Sequence, residues 1–343
     1  MADKELNNIE RAVQANPESL EVRAKLYLYL QRTGRVHPRA IEFAANHCDA
    51  TAQLILKENR RIPFESDDDL ALIEGLPIQS LNLSDCWVTD EGLRYLEALP
   101  LQTLSLDYCD LLTDQAFKYL EKLPLQSLDL TYCWRITDLG LKWLKGLRLQ
   151  SFNLSYCKKI TDQGVQFLKG MPLQKLSLSC CELITDRSLK VIGQFPLQSL
   201  QLFNCSAITD LGLKDLAQTP LKSLKLSRCD KLTEQGLSYI KDLPLQSLEL
   251  SFCDKITDQG LKHLSRMPLQ TLDLSHCNKI TDQGLQYLIG LPLRSLDLSY
   301  CQVTTDAMDH LQAMNLQSLT LRSRNRDLKK ELESLGIPKL KTE

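Results

Sequence analysis

Cysteines recur along this chain at an almost constant spacing, and this regularity limits the folds that are open to it. Ten of them form a series in which the first step is 23 residues and the following eight are 24 residues each. The series consists of Cys86, Cys109, Cys133, Cys157, Cys181, Cys205, Cys229, Cys253, Cys277 and Cys301. A fixed period between roughly 20 and 50 residues predicts a solenoid, in which each repeat is one supersecondary unit stacked on the next.

The first half of each repeat alternates apolar and polar residues. In the segment 125–133, Leu128 and Leu130 alternate with polar residues, and Cys133 closes the segment. A period of two residues predicts a half-buried strand. The cysteine follows this strand, where a small apolar thiol suits a tight buried turn.

The second half of each repeat carries apolar residues at mostly helical spacing. In one repeat they are Ile256, Leu261, Leu264 and Met267. This spacing predicts a short helix with one buried stripe. Thr257 is the expected N-cap, with Asp258 in the first turn at the positive end of the helix dipole. We expect Gly260 to allow close backbone packing and Pro268 to end the helix.

One strand and one helix per repeat predict a curved α/β solenoid with parallel strands on the inner, concave wall and short helices on the outer wall. We divide the chain into three parts. Residues 1–65 lack the repeat and form a small all-α N-terminal cap. Residues 66–325 form the solenoid, with eleven strands and ten cysteine-containing repeats, opening on a half-repeat helix at 66–76. Residues 326–343 form a C-terminal capping helix and tail.

The repeated pattern L-x-x-L-x-L-x-x-C, followed by I-T-D-x-G-L, resembles the cysteine-containing subclass of leucine-rich repeats over about 66–325. The resemblance implies a leucine-rich repeat horseshoe in which cysteine takes the place of the Asn ladder residue of other members. It also implies a protein-binding module, since many members of the subclass are substrate receptors of F-box ubiquitin ligases. The short "LPLQSL" connections are similar to those of bacterial members.

Bulk composition excludes several classes of partner. A net charge of −2 gives no reason to expect nucleic acid as the main partner. No apolar run approaches the roughly 18 residues of a membrane-spanning helix. The acidic start, without a following apolar stretch, predicts no signal peptide. One cysteine per repeat without an export signal predicts free thiols in a reducing compartment, so we expect a cytoplasmic monomer.

The sequence carries no recognisable catalytic motif. It has no phosphate-binding loop, no H-E-x-x-H, no C-x-x-C and no G-x-S-x-G. The repeated Thr-Asp pairs are explained by helix capping rather than by a carboxylate array. We therefore expect a protein without enzymatic activity, cofactor, metal site or small-molecule substrate.

Two interpretations of residues 1–65 remain open. The stretch "AVQANPESLEVRAKLYLYLQRTGR" resembles one tetratricopeptide helix pair, which would need to dock onto the first leucine-rich repeat to bury its apolar face. Alternatively, residues Pro17, Glu18, Leu20, Tyr27 and Leu28 fall loosely at the positions of an F-box, although Asn16 stands where the usual Leu precedes the Pro. In that case the chain is a substrate-recognition adaptor of a ubiquitin ligase, and 1–65 recruits the ligase.

The candidate binding residues are those that depart from the repeat on the concave face. Strand residues alternating with the buried leucines point to that face. Most are Ser, Thr or Asp, and the departures form a central cluster of interface-type residues. The cluster consists of Lys175, Gln201, Phe203, Asn204, Lys225, Arg228, Glu249 and Phe252. With the cations Lys175, Lys225 and Arg228 in the cluster, the wall is expected to read acidic, basic, acidic, which would set the register of a bound chain. The acidic residues that flank the cluster are Asp107, Asp129, Asp273 and Asp297.

A second candidate is an aromatic edge formed by Tyr108, Tyr132, Tyr156 and Trp134. The three tyrosines each precede a cysteine of the series. An alternative interpretation makes them packing residues of the repeat that cover the strand ends, because a regular recurrence favours packing.

Overall fold

The computed structural model describes residues 78–322 and 326–342, together with positions 8, 11, 12, 15, 67 and 70. The expected N-terminal helices, the tetratricopeptide-like pair and the F-box-like spacing lie almost entirely outside the described residues. The chain divides into two compact units, 1–157 and 158–343. The repeats on either side of this division follow the same sequence pattern, so the pattern does not predict it.

Each described repeat forms a three-residue strand, in the place where the sequence alternates. In the first unit the strands are β1 Ser80–Asn82, β2 Thr103–Ser105, β3 Ser127–Asp129 and β4 Ser151–Asn153. In the second unit they are β5 Lys175–Ser177, β6 Ser199–Gln201, β7 Ser223–Lys225, β8 Ser247–Glu249, β9 Thr271–Asp273, β10 Ser295–Asp297, β11 Ser318–Thr320 and β12 Lys339–Lys341.

Within each unit, consecutive strands pair in parallel and in register. The central leucines therefore lie side by side, as in Leu200, Leu224 and Leu248 of β6 to β8. Eleven described strands, β1 to β11, lie within 66–325. β12 adds a twelfth by pairing with β11, in the segment 326–343 where only a capping helix and tail were expected. It was not predicted because Lys339–Lys341 lies after the capping helix and carries no cysteine.

Short helices follow the strands. The α-helices are α1 Phe117–Leu120 and α2 Asp138–Leu141 in the first unit, and α3 Asp162–Phe167, α4 Asp186–Ile192, α5 Asp210–Asp215, α6 Glu234–Ile240, α7 Asp258–Leu261, α8 Asp282–Leu285, α9 Met308–Ala313 and α10 Arg326–Ser334 in the second. Several repeats continue or begin with 3-10 turns: Glu91–Leu96, Asp114–Ala116, Lys142–Leu144, Lys262–Leu264, Gln286–Leu288 and Thr305–Ala307.

The core of each unit lies between strands and helices, as the periodicity predicts. The predicted stripe of Ile256, Leu261, Leu264 and Met267 is at most 2% exposed. Parallel strands connected by helices and built on this leucine framework form an α/β leucine-rich repeat solenoid, which confirms the predicted fold class. No helix in the described ranges is both long and apolar enough to cross a lipid bilayer.

The cysteine thiols form a ladder of hydrogen bonds between repeats. Cys253 Sγ donates to the carbonyl oxygen of Leu226 at 3.3 Å. The same oxygen accepts the backbone N–H of Cys229 at 3.1 Å, so one carbonyl uses both lone pairs. Equivalent thiol bonds to the preceding repeat are made by Cys109, Cys133, Cys157, Cys205, Cys229, Cys277 and Cys301. All described cysteines are free thiols.

A second ladder joins the threonine of most described repeats to the aspartate of the repeat before it. Asp186 accepts the backbone N–H of Thr209 on Oδ1 at 2.8 Å and the Thr209 hydroxyl on Oδ2 at 2.6 Å. Thr209 Oγ1 in turn accepts the N–H of Leu211 at 3.3 Å and caps α5. The same clamp joins Asp67–Thr89, Asp90–Thr113, Asp114–Thr137, Asp162–Thr185, Asp210–Thr233, Asp258–Thr281 and Asp282–Thr304. The repeated Thr-Asp pair therefore caps a helix and also bonds successive repeats.

The clamp explains the glycine that stands, in most repeats, two residues after the aspartate position. A Cβ atom on Gly236 would lie 2.4 Å from Asp210 Oδ1, so the glycine leaves room for the carboxylate rather than for another backbone. Ser188 stands at this position in one repeat, and its hydroxyl donates to Asp162. Burial of Asp162 favours the protonated form, but the hydrogen bonds from Ser188 and Thr185 outweigh it and lower the pKa of this carboxyl.

Thr257, the threonine chosen above as an N-cap, has the expected position but makes no side-chain cap hydrogen bond. The residue one repeat earlier at the aspartate position is Glu234. A glutamate is one methylene longer, so its carboxylate does not coincide with the place that aspartate occupies in the other clamps. Among the described residues of the second unit, this is the one repeat in which a glutamate replaces the aspartate and the clamp is missing.

We expect the substitution Glu234→Asp to create the missing clamp and raise the free energy of unfolding by about 0.5–1.5 kcal/mol, the net value of one hydrogen bond. The matched opposite change, Asp210→Glu, should lower it because Thr233 loses its partner. Urea denaturation of the three proteins measures both. Equal midpoints for wild type and Asp210→Glu would contradict the structural role of the clamp.

We also expect the thiol ladder to be chemically inert in the folded protein. Burial raises the pKa of Cys109, Cys157, Cys205, Cys253 and Cys301 to about 12, so the reactive thiolate is scarce at neutral pH. A thiol reagent at pH 8 should label the native ladder slowly and the urea-unfolded chain quickly, as followed by mass spectrometry. Cys301, which is only partly buried, should react first. Rapid labelling of Cys229 in the native protein would contradict this expectation, because it would show that the reagent reaches the buried thiols.

Candidate functional site

The residue that precedes each cysteine adopts an uncommon backbone conformation. In all ten repeats its φ lies between 57° and 63°, the left-handed region, and none of the ten is glycine. These residues are Asp85, Tyr108, Tyr132, Tyr156, Cys180, Asn204, Arg228, Phe252, His276 and Tyr300. The left-handed conformation costs an L-residue about 1–2 kcal/mol, so something must offset it in each repeat. We call this series the left-handed row.

Hydrogen bonds between repeats offset part of this cost. The N–H of Arg228 donates to the carbonyl oxygen of Ser251 at 2.9 Å, and the N–H of Phe252 donates to that of Ser275 at 2.9 Å. The turn also directs consecutive side chains to opposite sides. Cys229 is fully buried, whereas Arg228 is exposed. The left-handed row therefore presents its side chains at the carboxyl ends of the strands.

Stacking of side chains along the row adds to the stabilisation. In the second unit, the Arg228 guanidinium lies 4.2 Å from the centre of the Phe252 ring. Phe252 stacks on His276 at 4.0 Å, and His276 stacks on Tyr300 at 4.3 Å between ring centres. Four successive repeats thus form one continuous stack, headed by a cation that is attracted to the ring face.

The sequence analysis placed Arg228 and Phe252 in the candidate site but left out His276 and Tyr300. The signal that would have found them was available, because all four precede a cysteine at intervals of 24 residues. What the sequence does not show is that flat side chains at this position come into direct contact across repeats.

The strand residues of the central cluster form a second row. Parallel register places Gln201 beside Lys225, and Lys225 beside Glu249. Lys225 Nζ lies 2.9 Å from Glu249 Oε1, in an ion pair that remains partly exposed. Lys175 is exposed but is the first residue of its strand rather than the third, and its register partner is Ser199.

Phe203 follows β6 and lies between these two rows, and Asn204 comes directly after it in the left-handed row. At the position of Phe203, neighbouring repeats carry the buried serines Ser179 and Ser227, 8% and 3% exposed, whereas Phe203 is half-buried. Asn204 belongs to the left-handed row, and its Nδ2 lies 3.9 Å from Cys180 Sγ. The structure therefore gathers seven of the eight predicted residues around β6 to β8, with Lys175 one strand away.

The charges on this surface differ from the basic block expected between acidic flanks. Lys225 is paired with Glu249, and beyond Glu249 the register continues through Asp273 to Asp297. Burial raises the pKa of Asp273, with further contributions from Asp297 and Glu249, while hydrogen bonds from Ser275 act in the opposite direction. The strand row is therefore acidic towards β10.

The predicted aromatic edge lies in the first unit. Tyr108 and Tyr132 stack at 4.2 Å, and Tyr132 and Tyr156 stack at 4.0 Å between ring centres. Tyr108 remains 47% exposed. These rings pack on one another as part of the left-handed row, which agrees with their interpretation as packing residues. Trp134 follows Cys133 in the next loop, and none of the ring contacts within the described residues includes it.

The arrangement contains no chemistry of a reactive centre in the described part of the chain. No group of three or more His, Cys, Asp or Glu side chains there is placed to hold a metal ion. The described thiols lie in or beside the core, and the clamp carboxylates are engaged by threonines. What the surface offers is recognition: rings, a guanidinium, an ion pair and carboxylates on adjacent strands.

Comparison with known proteins identifies the repeat. The family model described as Leucine Rich repeat matches residues 77–96, 123–144, 149–169, 171–193, 194–217, 243–265, 267–288 and 292–309, about half of the chain. The chain belongs to the leucine-rich repeat family. Leucine-rich repeat proteins are typically interaction modules without catalytic function. A search of curated proteins finds no match.

Among solved structures, a chain of the Rad7 and Elc1 complex in yeast is 21% identical, with a TM-score of 0.51, over 93% of this chain and 92% of that chain. A chain of the TLR13–ssRNA13 complex is 20% identical, with a TM-score of 0.49, over 76% of this chain and 38% of that chain. The first likeness shows a shared leucine-rich repeat fold.

One prediction concerns Asp273. Because burial raises the pKa of Asp273, the folded state binds its proton more tightly than the unfolded state does. The resulting penalty is complete above the folded pKa and is relieved as the pH falls through it. We therefore expect Asp273→Asn to be more stable than wild type at pH 7, with a difference that shrinks towards low pH.

Thermal melts between pH 7 and pH 3 measure this difference. The amide introduced by Asp273→Asn keeps an oxygen that can accept the N–H of Ser275, so the turn is preserved. The exposed Asp230→Asn serves as the matched control and should follow the wild-type curve. A difference between wild type and Asp273→Asn that is constant over this pH range would contradict the assignment.

Proposed function

We propose that this chain is a non-enzymatic scaffold that holds a protein partner on the concave strand face of its second unit. The contact surface consists of the strand row Gln201, Lys225 and Glu249, the left-handed row Asn204, Arg228 and Phe252, and Phe203 between them. Lys175 extends the surface towards β5. One observation carries the proposal. Side chains that differ from the residues usual at their position of the repeat lie together on adjacent strands.

Preorganisation supports this assignment. A free arginine side chain loses rotamer entropy when a partner immobilises it, at a cost of about 0.5–1.5 kcal/mol. Arg228 already rests on Phe252, which is itself held by His276. The guanidinium edge and the half-buried Phe203 ring are therefore available to a partner with little further ordering. Arginine and aromatic residues are the types enriched at interface hot spots.

The charge pattern supports an extended partner segment with a defined direction. From β7 to β10 the strand row changes from the Lys225–Glu249 pair to the carboxylates of Asp273 and Asp297. Complementary charges on a bound segment would fix its register. A surface rich in carboxylates is a poor match for the negatively charged backbone of nucleic acid. The free, buried thiols support residence in a reducing compartment such as the cytosol, and we propose a monomer.

A second candidate function is that of a ubiquitin ligase adaptor in which residues 1–65 recruit the ligase. The F-box-like positions Pro17, Glu18, Leu20, Tyr27 and Leu28 support it. A structural likeness that spans 93% of the chain, to a chain crystallised in a complex of two proteins, is compatible with it. A pull-down with the full chain should then recover a Skp1-like protein, and Leu20→Ala with Leu28→Ala should abolish recovery. Equal recovery by both proteins would remove this candidate.

We expect Phe203→Ala or Arg228→Ala to weaken partner binding by about 2 kcal/mol or more, the threshold of an interface hot spot. A photo-crosslinking amino acid at position 203 identifies the partner, and calorimetry with the purified partner measures the loss. Thr271→Ala, on an exposed strand position of the same unit, is the matched control and should bind normally.

The stability of each variant is measured in parallel, since Arg228→Ala also removes a stacking contact. Unchanged affinity after the combined substitution of Phe203, Arg228 and Phe252 by Ala would refute the proposed surface. A partner that crosslinks equally from position 271 would place the contact elsewhere on the strand face.

A further inference from the structure

The third repeat of the first unit combines exposed apolar side chains on its loop and helix side, away from the strand residues considered above. Other repeats carry them singly: Trp87 stands at the position of Trp134, and Leu211 at that of Leu139. Trp134, Leu139 and Trp143 are 58%, 68% and 44% exposed. At the position of Leu139, five other repeats carry a glutamine: Gln115, Gln163, Gln235, Gln259 and Gln283. Three large apolar side chains therefore face solvent within ten residues of chain. Exposed apolar groups gathered in this way are typical of interaction sites.

The equivalent position in the preceding repeat shows that exposure of Trp143 is not required by the fold. Tyr119 occupies that position and is 7% exposed. Its hydroxyl donates to Glu91 Oε2 at 2.8 Å. Trp143 instead presents its ring to water, so it contributes less to the packing of the unit than the corresponding tyrosine does.

Basic residues surround these side chains. Arg135, Lys142, Lys145 and Arg148 are all exposed, and none forms an ion pair with a residue that the structure describes. The single acidic residue between positions 134 and 148 is Asp138, which is already engaged with another group of the protein. Arg148 stands where nine other repeats have proline: Pro77, Pro100, Pro124, Pro172, Pro196, Pro220, Pro244, Pro268 and Pro292.

Local geometry brings part of this set together on one helix face. Leu139 lies in α2, and Trp143 lies in the 3-10 turn Lys142–Leu144 that continues it. Residues four apart on a helix share a face, with Cβ atoms about 5–6 Å from each other. Lys142, three residues after Leu139, borders the same face, and Trp134 lies in the loop that leads into α2. We call these residues and the cations around them the third-repeat patch.

We propose that the third-repeat patch binds an acidic segment of a partner protein, in which Asp and Glu alternate with apolar residues. The apolar residues of the segment would cover Trp134, Leu139 and Trp143, and its carboxylates would pair with the four cations. Partly desolvated charge pairs beside buried tryptophan are a favourable combination at protein interfaces. The patch lies in the first unit and shares no residue with the strand surface of the second.

A membrane surface is a less suitable occupant. Helices that lie in a bilayer interface present a long apolar face. Here α2 and the following 3-10 turn together span only Asp138–Leu144, about two turns. Nucleic acid is also less suitable, because the patch offers four cations on a chain of net negative charge.

Intrinsic fluorescence offers a direct test, because the three tryptophans of the chain are Trp87, Trp134 and Trp143 and all are exposed. In a Trp87→Phe background, emission comes from the patch alone. The probe is a short synthetic peptide in which Asp and Glu alternate with Leu. We expect the emission to shift to the blue as the peptide is added, and the affinity to fall as salt is raised. The comparison peptide carries Lys in place of the acidic residues and should produce no shift.

Two substitutions connect the signal to the patch. Lys142→Glu should weaken peptide binding by about tenfold or more. Lys118→Glu changes the residue at the same position of the preceding repeat, which is also exposed, and should leave binding unchanged. Leu139→Gln, which introduces the residue found in five other repeats, is compatible with the fold and should also weaken binding by about tenfold. It keeps the test valid if Lys142→Glu does not fold.

Several results would overturn the proposal. Equal affinity for the acidic and basic peptides, or unchanged binding by both Lys142→Glu and Leu139→Gln, would exclude this surface. A blue shift with phosphatidylserine vesicles but not with the peptide would assign the patch to a membrane. A shift produced by raising the protein concentration alone would assign it to a second copy of the chain. Arg228→Ala should bind the peptide as wild type does, which separates this proposal from that for the strand face.

Discussion

The strand-to-helix turn through one left-handed residue is the constraint on which the rest of each repeat depends. It allows the N–H of that residue to bond to the next repeat and directs the following cysteine into the core. The penalty for a left-handed L-residue, about 1–2 kcal/mol, recurs ten times along the chain. It is tolerated because the surrounding hydrogen bonds over-determine the conformation. Without this turn the cysteine could not reach the carbonyl of the preceding repeat, and the thiol ladder would be lost.

The same turn determines where recognition can occur. Since it holds the preceding side chain outward at the strand end, residues such as Phe252 and His276 come into register one repeat apart and stack. Strand hydrogen bonds, thiols and Thr–Asp clamps meanwhile engage most of the repeated polar groups. A serine or aspartate that recurs in every repeat is therefore explained by structure. Residues that differ from those at the same position of other repeats, such as Phe203, have no role in these ladders and remain available for binding.

Much of the fold follows from the sequence because its determinants are local and periodic. Alternation around Leu128 predicts β3, and the spacing from Ile256 to Met267 predicts α7 and its buried stripe. The bond from each Asp to the next Thr was not predicted, because a Thr-Asp pair is already accounted for by capping within one helix. β12 was missed for a similar reason, since it obtains its partner from β11 and not from any pattern of its own.

The candidate site was predicted less completely, because its geometry depends on contacts between repeats. Arg228 and Phe252 were identified because they differ from the residues at the same position of other repeats. The stack that continues from them to Tyr300 was not. From the sequence, Lys225 was expected to belong to a basic region. In the structure its Nζ lies 2.9 Å from Oε1 of Glu249 on the next strand. In both cases the residue types were visible in the sequence. The pairing was hidden because the partner lies one full repeat away.

Repetition makes the departures informative on energetic grounds. Every repeat has the same backbone to support, so a side chain found in only one repeat is not needed to form that backbone. An exposed tryptophan keeps apolar area in water, and burying that area against a partner would yield about 25 cal/mol per Å². The stabilisation that Trp134 and Trp143 do not provide within the folded chain is therefore available for association. The same reasoning applies to Phe203, whose neighbours show that a buried serine is sufficient at that position. In a solenoid built from equivalent ladders, the residues that contribute least to stacking are the ones that distinguish this chain from other proteins with the same repeat.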